Sequence, residues 1–271
     1  MSTIFDKAEI KHNCDEFFSL YDVTKENTRE MCELKRIHTQ AVADNCICIA
    51  KDFGLSEYDC DLAWIIGELH DFARFGQAIV TKTFRDNDKY HHAKFGARLL
   101  FKHGMIEDLI YNYAQIPDED KIVMEKAVYY HSDFKLPTDL TERQLLFCNI
   151  IREADQIDIF RTIATSTFEA IYGCSKEEML SSPDISDTIL AAFPRQELAD
   201  YSKRVTLADY RLAHLALCFA LKTPFARHRA MEQGYLQQLM DMEFYNSTVQ
   251  EKYLLAKHCL EEFLQVKQSS Y

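Results

Sequence analysis

Three features of this 271-residue sequence predict an all-α fold. Glycine and proline are scarce, at seven and five residues, and a β-rich chain needs many more turn-formers than that. Apolar residues recur at helical spacing through most of the length. A composition 47% hydrophobic and 27% charged is ordinary for a chain that buries a packed core.

Residues 5–20 and 28–53 read as helices, the second stopped by Gly54. A helix over 58–73 carries the string ELHDFA, and the polar run 80–90 (VTKTFRDNDKY) reads as a loop able to close over a substrate. Further helices fit 91–104, ending at Gly104, then 106–113, 119–132 and 139–161. The stretch 173–187 (GCSKEEMLSSPDISD) is the expected boundary, separating a core at 1–172 from an extension at 173–271. In that extension 187–203, 206–221, 224–242 and 247–267 read as helices. They would cover the core or build a homodimer interface, with Tyr235, Leu236, Leu239 and Phe244 as packing residues.

The net charge of −12 and a pI near 5.3 argue against a nucleic-acid groove or an anionic membrane as partner. The N-terminal MSTIFDKAEIKHNCDEF is too charged for a signal peptide. Nine cysteines without a CxxC pair fit reduced, buried thiols and a cytoplasmic setting.

Ionisable residues stand on the apolar stripes of separate helices. His38 lies four residues from both Leu34 and Val42; His70 follows Ala63 and Ile66; His92 leads Phe95 and Leu99. His131 follows Val123 and Ala127, Asp155 lies between Ile151 and Ile159, and Asp71 adjoins His70. A buried histidine taken alone is more often a core residue bonded to a carbonyl than a ligand. Several converging from different helices are explained together by a cation, since buried polar groups are otherwise paired at a cost. Histidine and carboxylate ligands suit divalent transition metals.

The order His38 … His70-Asp71 … His92 … His131 … Asp155 resembles the HD superfamily of metal-dependent phosphohydrolases, in its six-ligand form. GELHDFARFGQ, HAKFGARLL, AVYYHSD and READQIDIF resemble that family's local segments, over about residues 30 to 165. The resemblance implies an HD-domain helical bundle. His38, His70, Asp71 and Asp155 would hold one ion, and His92 and His131 a second bridged by Asp71. His91 is the alternative to His92. One or two divalent ions are implied, iron or manganese first, with zinc, nickel or magnesium as alternatives. Asp71 and Arg74 are the implied catalytic pair, Arg74 gripping a substrate phosphate.

From Arg74 to Lys102 seven basic residues face only two acids, Asp86 and Asp88. This basic segment in an acidic chain fits an anionic substrate, with Arg85 and Arg152 as further substrate contacts. The expected activity is hydrolysis, by a metal-bound hydroxide, of a phosphate ester or anhydride of a nucleotide or small metabolite. Two alternatives stand beside it: an HD-fold mixed-valent diiron oxygenase, and a non-catalytic nucleotide-binding HD module.

Overall fold

The computed structural model describes residues 5–21 and 26–264. Among them the isolated bridge between Asn87 and Tyr90 is the sole strand-type pairing, so the molecule is all-α as predicted. No helix among the described residues is long and apolar enough to cross a membrane. The chain divides into two compact units between Asp155 and Gln156. That division falls inside a long helix rather than in the polar stretch 173–187.

The first unit contains α1 (Lys7–Ser19), α2 (Glu26–Asp52), α3 (Glu57–Leu69), α4 (Arg74–Thr81) and α5 (His92–Ala97). A π turn at Arg98–Lys102 follows, then α6 (Ile106–Leu109), α7 (Asp118–Tyr130) and the first part of α8 (Glu142–Thr165). Helix α3 is the central rod: every residue from Cys60 to Leu69 is buried. Its two buried acids, Asp61 and Glu68, face Lys7 at 2.6 Å and Lys11 at 3.5 Å on α1. Helix α2 packs against α3 so closely that a β-carbon on Gly67 would stand 2.6 Å from the Ala43 Cα. Glycine is required there by space rather than by backbone conformation.

The helix expected over 58–73 stops at Leu69. His70 to Ala73 form a tight turn, and α4 begins at Arg74. Aromatic stacking holds the corner: Phe17 lies 4.6 Å from Phe72 and Phe18 3.9 Å from Phe75, ring centre to ring centre. Such pairs add to the burial of the rings themselves.

The second unit contains the end of α8, then α9 (Phe168–Tyr172), α10 (Lys176–Leu180), α11 (Asp187–Leu190) and α12 (Leu207–Ala216). After these come α13 (Pro224–Glu232), α14 (Tyr235–Met240) and α15 (Ser247–Leu264). Phe193, Leu212, Phe219, Leu236 and Tyr253 are buried at its core. The long helix expected over 187–203 is only α11, because Pro194 cannot extend it and Gln196 takes a positive φ of 53°. The helix expected over 224–242 is broken by Gly234, whose φ is 76°. Residues 265–267 of the last expected helix lie outside the described residues.

All nine cysteines are free thiols, and only Cys48 is not buried. Cys46 is buried and Cys48 half-exposed.

Candidate metal centre

Five elements of the first unit bring six residues together. His38 stands mid-way along α2, and Asp155 is on α8 at the limit of the unit. His70 caps the C-terminus of α3, His131 caps that of α7, and His92 opens α5. Asp71 occupies the turn after α3. All but Asp155 are buried, and the Asp155 side chain is 17% exposed.

The helix ends orient the rings. The last carbonyls of a helix lack partners within it. His70 uses Nδ1 to bond the Gly67 carbonyl at 2.7 Å, and His131 bonds the Val128 carbonyl at 2.8 Å in the same way. Each ring is thereby fixed with Nδ1–H donating and its Nε2 facing inward. His92 is fixed similarly by a carboxylate, its Nδ1 lying 2.6 Å from Asp86 Oδ2.

Asp71 then divides the histidines between its two oxygens. Oδ2 lies 3.6 Å from His38 Nε2 and 3.5 Å from His70 Nε2. Oδ1 lies 3.3 Å from His92 Nε2 and 3.8 Å from His131 Nε2. Asp155 Oδ1 closes the first side, 3.1 Å from His38 Nε2 and 4.0 Å from His70 Nε2. Three groups of possible ligand atoms result among the described residues, His38–His70–Asp155, His70–Asp71–His131 and, beside them, Asp86–His91–His92, each with all its atoms within 4.8 Å of one another.

The chemistry of this donor set fits a cation. His70 Nε2 is buried with no hydrogen-bond partner. His92 Nε2 and His131 Nε2 face each other at 3.0 Å although both rings donate from Nδ1, so two lone pairs are opposed. Burial holds both rings neutral, reinforced at His131 by His92 and His70. Burial alone would raise the Asp71 carboxyl, but Lys35, His70 and Arg74 hold it well below the usual carboxylate range. Asp155 is kept low in the same way by His38 and His70, against its burial.

Of the paired histidines, His92 is the one directed into the cluster. His91 is a third exposed and turns to Asp133 instead, Nε2 to carboxylate 3.6 Å.

Arg74 reaches Asp71 Oδ1 with Nε at 3.4 Å. Its Nη1 is engaged by Gln77 at 2.7 Å, the Phe84 carbonyl at 2.5 Å and Asp86 at 3.5 Å. It therefore fastens the 82–90 loop to α4 as well as facing Asp71. Tyr90 fastens the same loop through the Ala73 carbonyl at 2.8 Å, so the segment expected to be a free lid is tied at several points. Arg85 is exposed. Arg152 is turned to the carbonyls of Tyr130, His131 and Asp133, where it clamps the end of α7 that carries His131.

Two residues of the centre escape sequence reasoning. Lys35 places Nζ 2.6 Å from Asp71 Oδ2; its signal was its position one turn before His38 on the same helix. Asp86 accepts from the His92 backbone N–H at 3.2 Å as well as from its ring. Burial would raise its carboxyl, yet His92 and Arg74 hold it low. Its signal was only that it is an acid in a basic segment.

Among known families, the HD domain matches residues 36–159 of this chain. No curated protein and no solved structure matches it.

Proposed function

Since residues 36–159 match the HD domain family, we propose that this protein is a metal-dependent phosphohydrolase acting on a nucleotide or another small phosphorylated metabolite. HD domains are generally metal-dependent hydrolases. The observation that carries the finer reading is the division of Asp71: one oxygen faces His38 and His70, the other His92 and His131. A carboxylate so placed suits two divalent ions, iron or manganese before zinc, nickel or magnesium.

His38, His70, Asp71 and Asp155 would hold one ion; His92, His131 and Asp71 would hold the other. Bound there, such ions supply Lewis acidity, which activates water and draws charge from phosphoryl oxygens. The residues of the chain do the rest. Asp71 stays ionised and fixes the spacing between the two histidine pairs. Lys35 and Arg74 approach Asp71 from either oxygen, at 2.6 Å and 3.4 Å, and put positive charge where a phosphate would gather negative charge. Arg85, exposed on the loop, is available to an anionic substrate. Asp86 and Arg152 position His92 and His131.

The experiment is a screen of nucleotides and phosphorylated metabolites with manganese- or iron-loaded protein, in air and without oxygen. Orthophosphate release at the same rate in both atmospheres is expected, falling at least ~100-fold in Asp71→Ala. Oxygen consumption without phosphate release would instead establish the diiron oxygenase alternative. Tight nucleotide binding with no turnover would leave the non-catalytic module.

A further inference from the structure

The second unit holds a cavity of about 650 Å³ between the end of α8 and helices α9, α10, α12, α14 and α15. Cavities of roughly 300–1,000 Å³ are the size that takes small molecules. Its walls are mixed, with Phe168, Leu239 and Leu254 among the apolar residues and Thr167, Gln238 and Gln250 among the polar ones. None of the residues of the candidate metal centre lines it.

One of its charged side chains is buried. Arg211 on α12 is only 5% exposed. Its Nη1 donates to the Tyr172 hydroxyl at 3.1 Å and its Nη2 to the Leu239 carbonyl at 2.5 Å. Its Nε is buried with no hydrogen-bond partner, and no carboxylate among the described residues pairs with it. Arginine does not lose its proton in proteins, so this guanidinium remains a buried cation without a counter-charge. Buried charges are normally paired, because leaving water uncompensated is costly.

The other charges around the cavity leave that need unmet. Asp241 is taken by Lys257 at 3.0 Å. Glu243 and Lys176 are exposed at the rim and oppose each other in sign. The Tyr172 hydroxyl accepts from Arg211 and is also engaged by His214 Nδ1 at 3.3 Å, so it offers Arg211 no counter-charge.

We propose that this cavity is a binding site for a small organic carboxylate with an apolar body. The carboxylate would meet Arg211, and the body would lie against Phe168, Leu239 and Leu254. Arginine suits this role because its planar fork matches a carboxylate.

The test is calorimetric titration of the full chain with octanoate and 3-phenylpropionate, beside octanamide, 3-phenylpropanamide and orthophosphate. Saturable binding of at least one acid, with Kd below ~1 mM, is expected, and none of the neutral amides. Arg211→Met should weaken the acid at least ~10-fold. Since a buried substitution can unfold the unit, Leu254→Trp provides a second variant. Leu254 is 51% exposed, so the larger ring would obstruct the cavity without entering the core, and a similar loss is expected. Asp71→Ala should bind the acid as the parent does, which separates this site from the metal centre. Equal binding of the amides, orthophosphate as good a ligand as the acids, no saturable binding of either acid, or unchanged affinity in Leu254→Trp would each overturn the proposal.

Discussion

At the scale of single residues, the centre depends on groups that aim the ligands as much as on the ligands. Asp86 fixes both the ring and the backbone of His92, and a carboxylate behind a histidine sets its tautomer and raises its basicity. Asp86→Asn removes the charge and turns a donor toward donors already present. It should lower metal affinity on the His92–His131 side about 10- to 100-fold. The His38–His70–Asp155 side should keep its ion, and the far-ultraviolet dichroism should not change. Metal titration of the variant checks this; full loading at parental affinity would show that His92 needs no such support.

At the scale of elements, the closest approach in the first unit is that of α2 to α3 at Gly67. A methyl group there would meet the Ala43 Cα at 2.6 Å and the Cys46 Sγ at 3.1 Å. The backbone must move, because the nearest obstacle is not the end of a flexible side chain. Gly67→Ala is expected to cost about 1–3 kcal/mol. It should also loosen metal binding, since His38 rides on α2 and His70 ends α3. Thermal denaturation together with metal content tests this; a stable variant with normal loading would mean the helices tolerate the shift. The same elements explain what could be read from the chain. His38 and Asp155 lie within long helices, where the apolar stripe reveals which side chains turn inward. His70, His92 and His131 lie at helix ends, where their aim depends on bonds to Gly67, Asp86 and Val128. Periodicity places such residues near the core but cannot show those bonds. The corner at His70–Ala73 was missed because apolar spacing continues unbroken across it, while the Phe17–Phe72 and Phe18–Phe75 stacks that hold it join residues distant in sequence. Arg211 was hidden for a related reason: nothing in an arginine's sequence neighbourhood records that it will be buried without a carboxylate.

At the scale of the whole molecule, the two units divide the chemistry. The first gathers opposed lone pairs and ionised carboxylates that call for cations, and the second surrounds a buried cation that calls for an anion. Filling the first site should also stabilise the protein by mass action, about 2.7 kcal/mol when free metal stands at ~100 times Kd. The most direct test of the central claim is elemental analysis of the protein purified without chelator, beside Asp71→Ala. About two equivalents of iron or manganese are expected, lost in the variant along with the metal-dependent rise in melting temperature. One equivalent would confine the ion to the His38, His70, Asp71 and Asp155 side and leave His92 and His131 to acid or substrate-binding roles. A folded parent protein that neither retains nor takes up any transition metal would contradict a metal centre at these six residues.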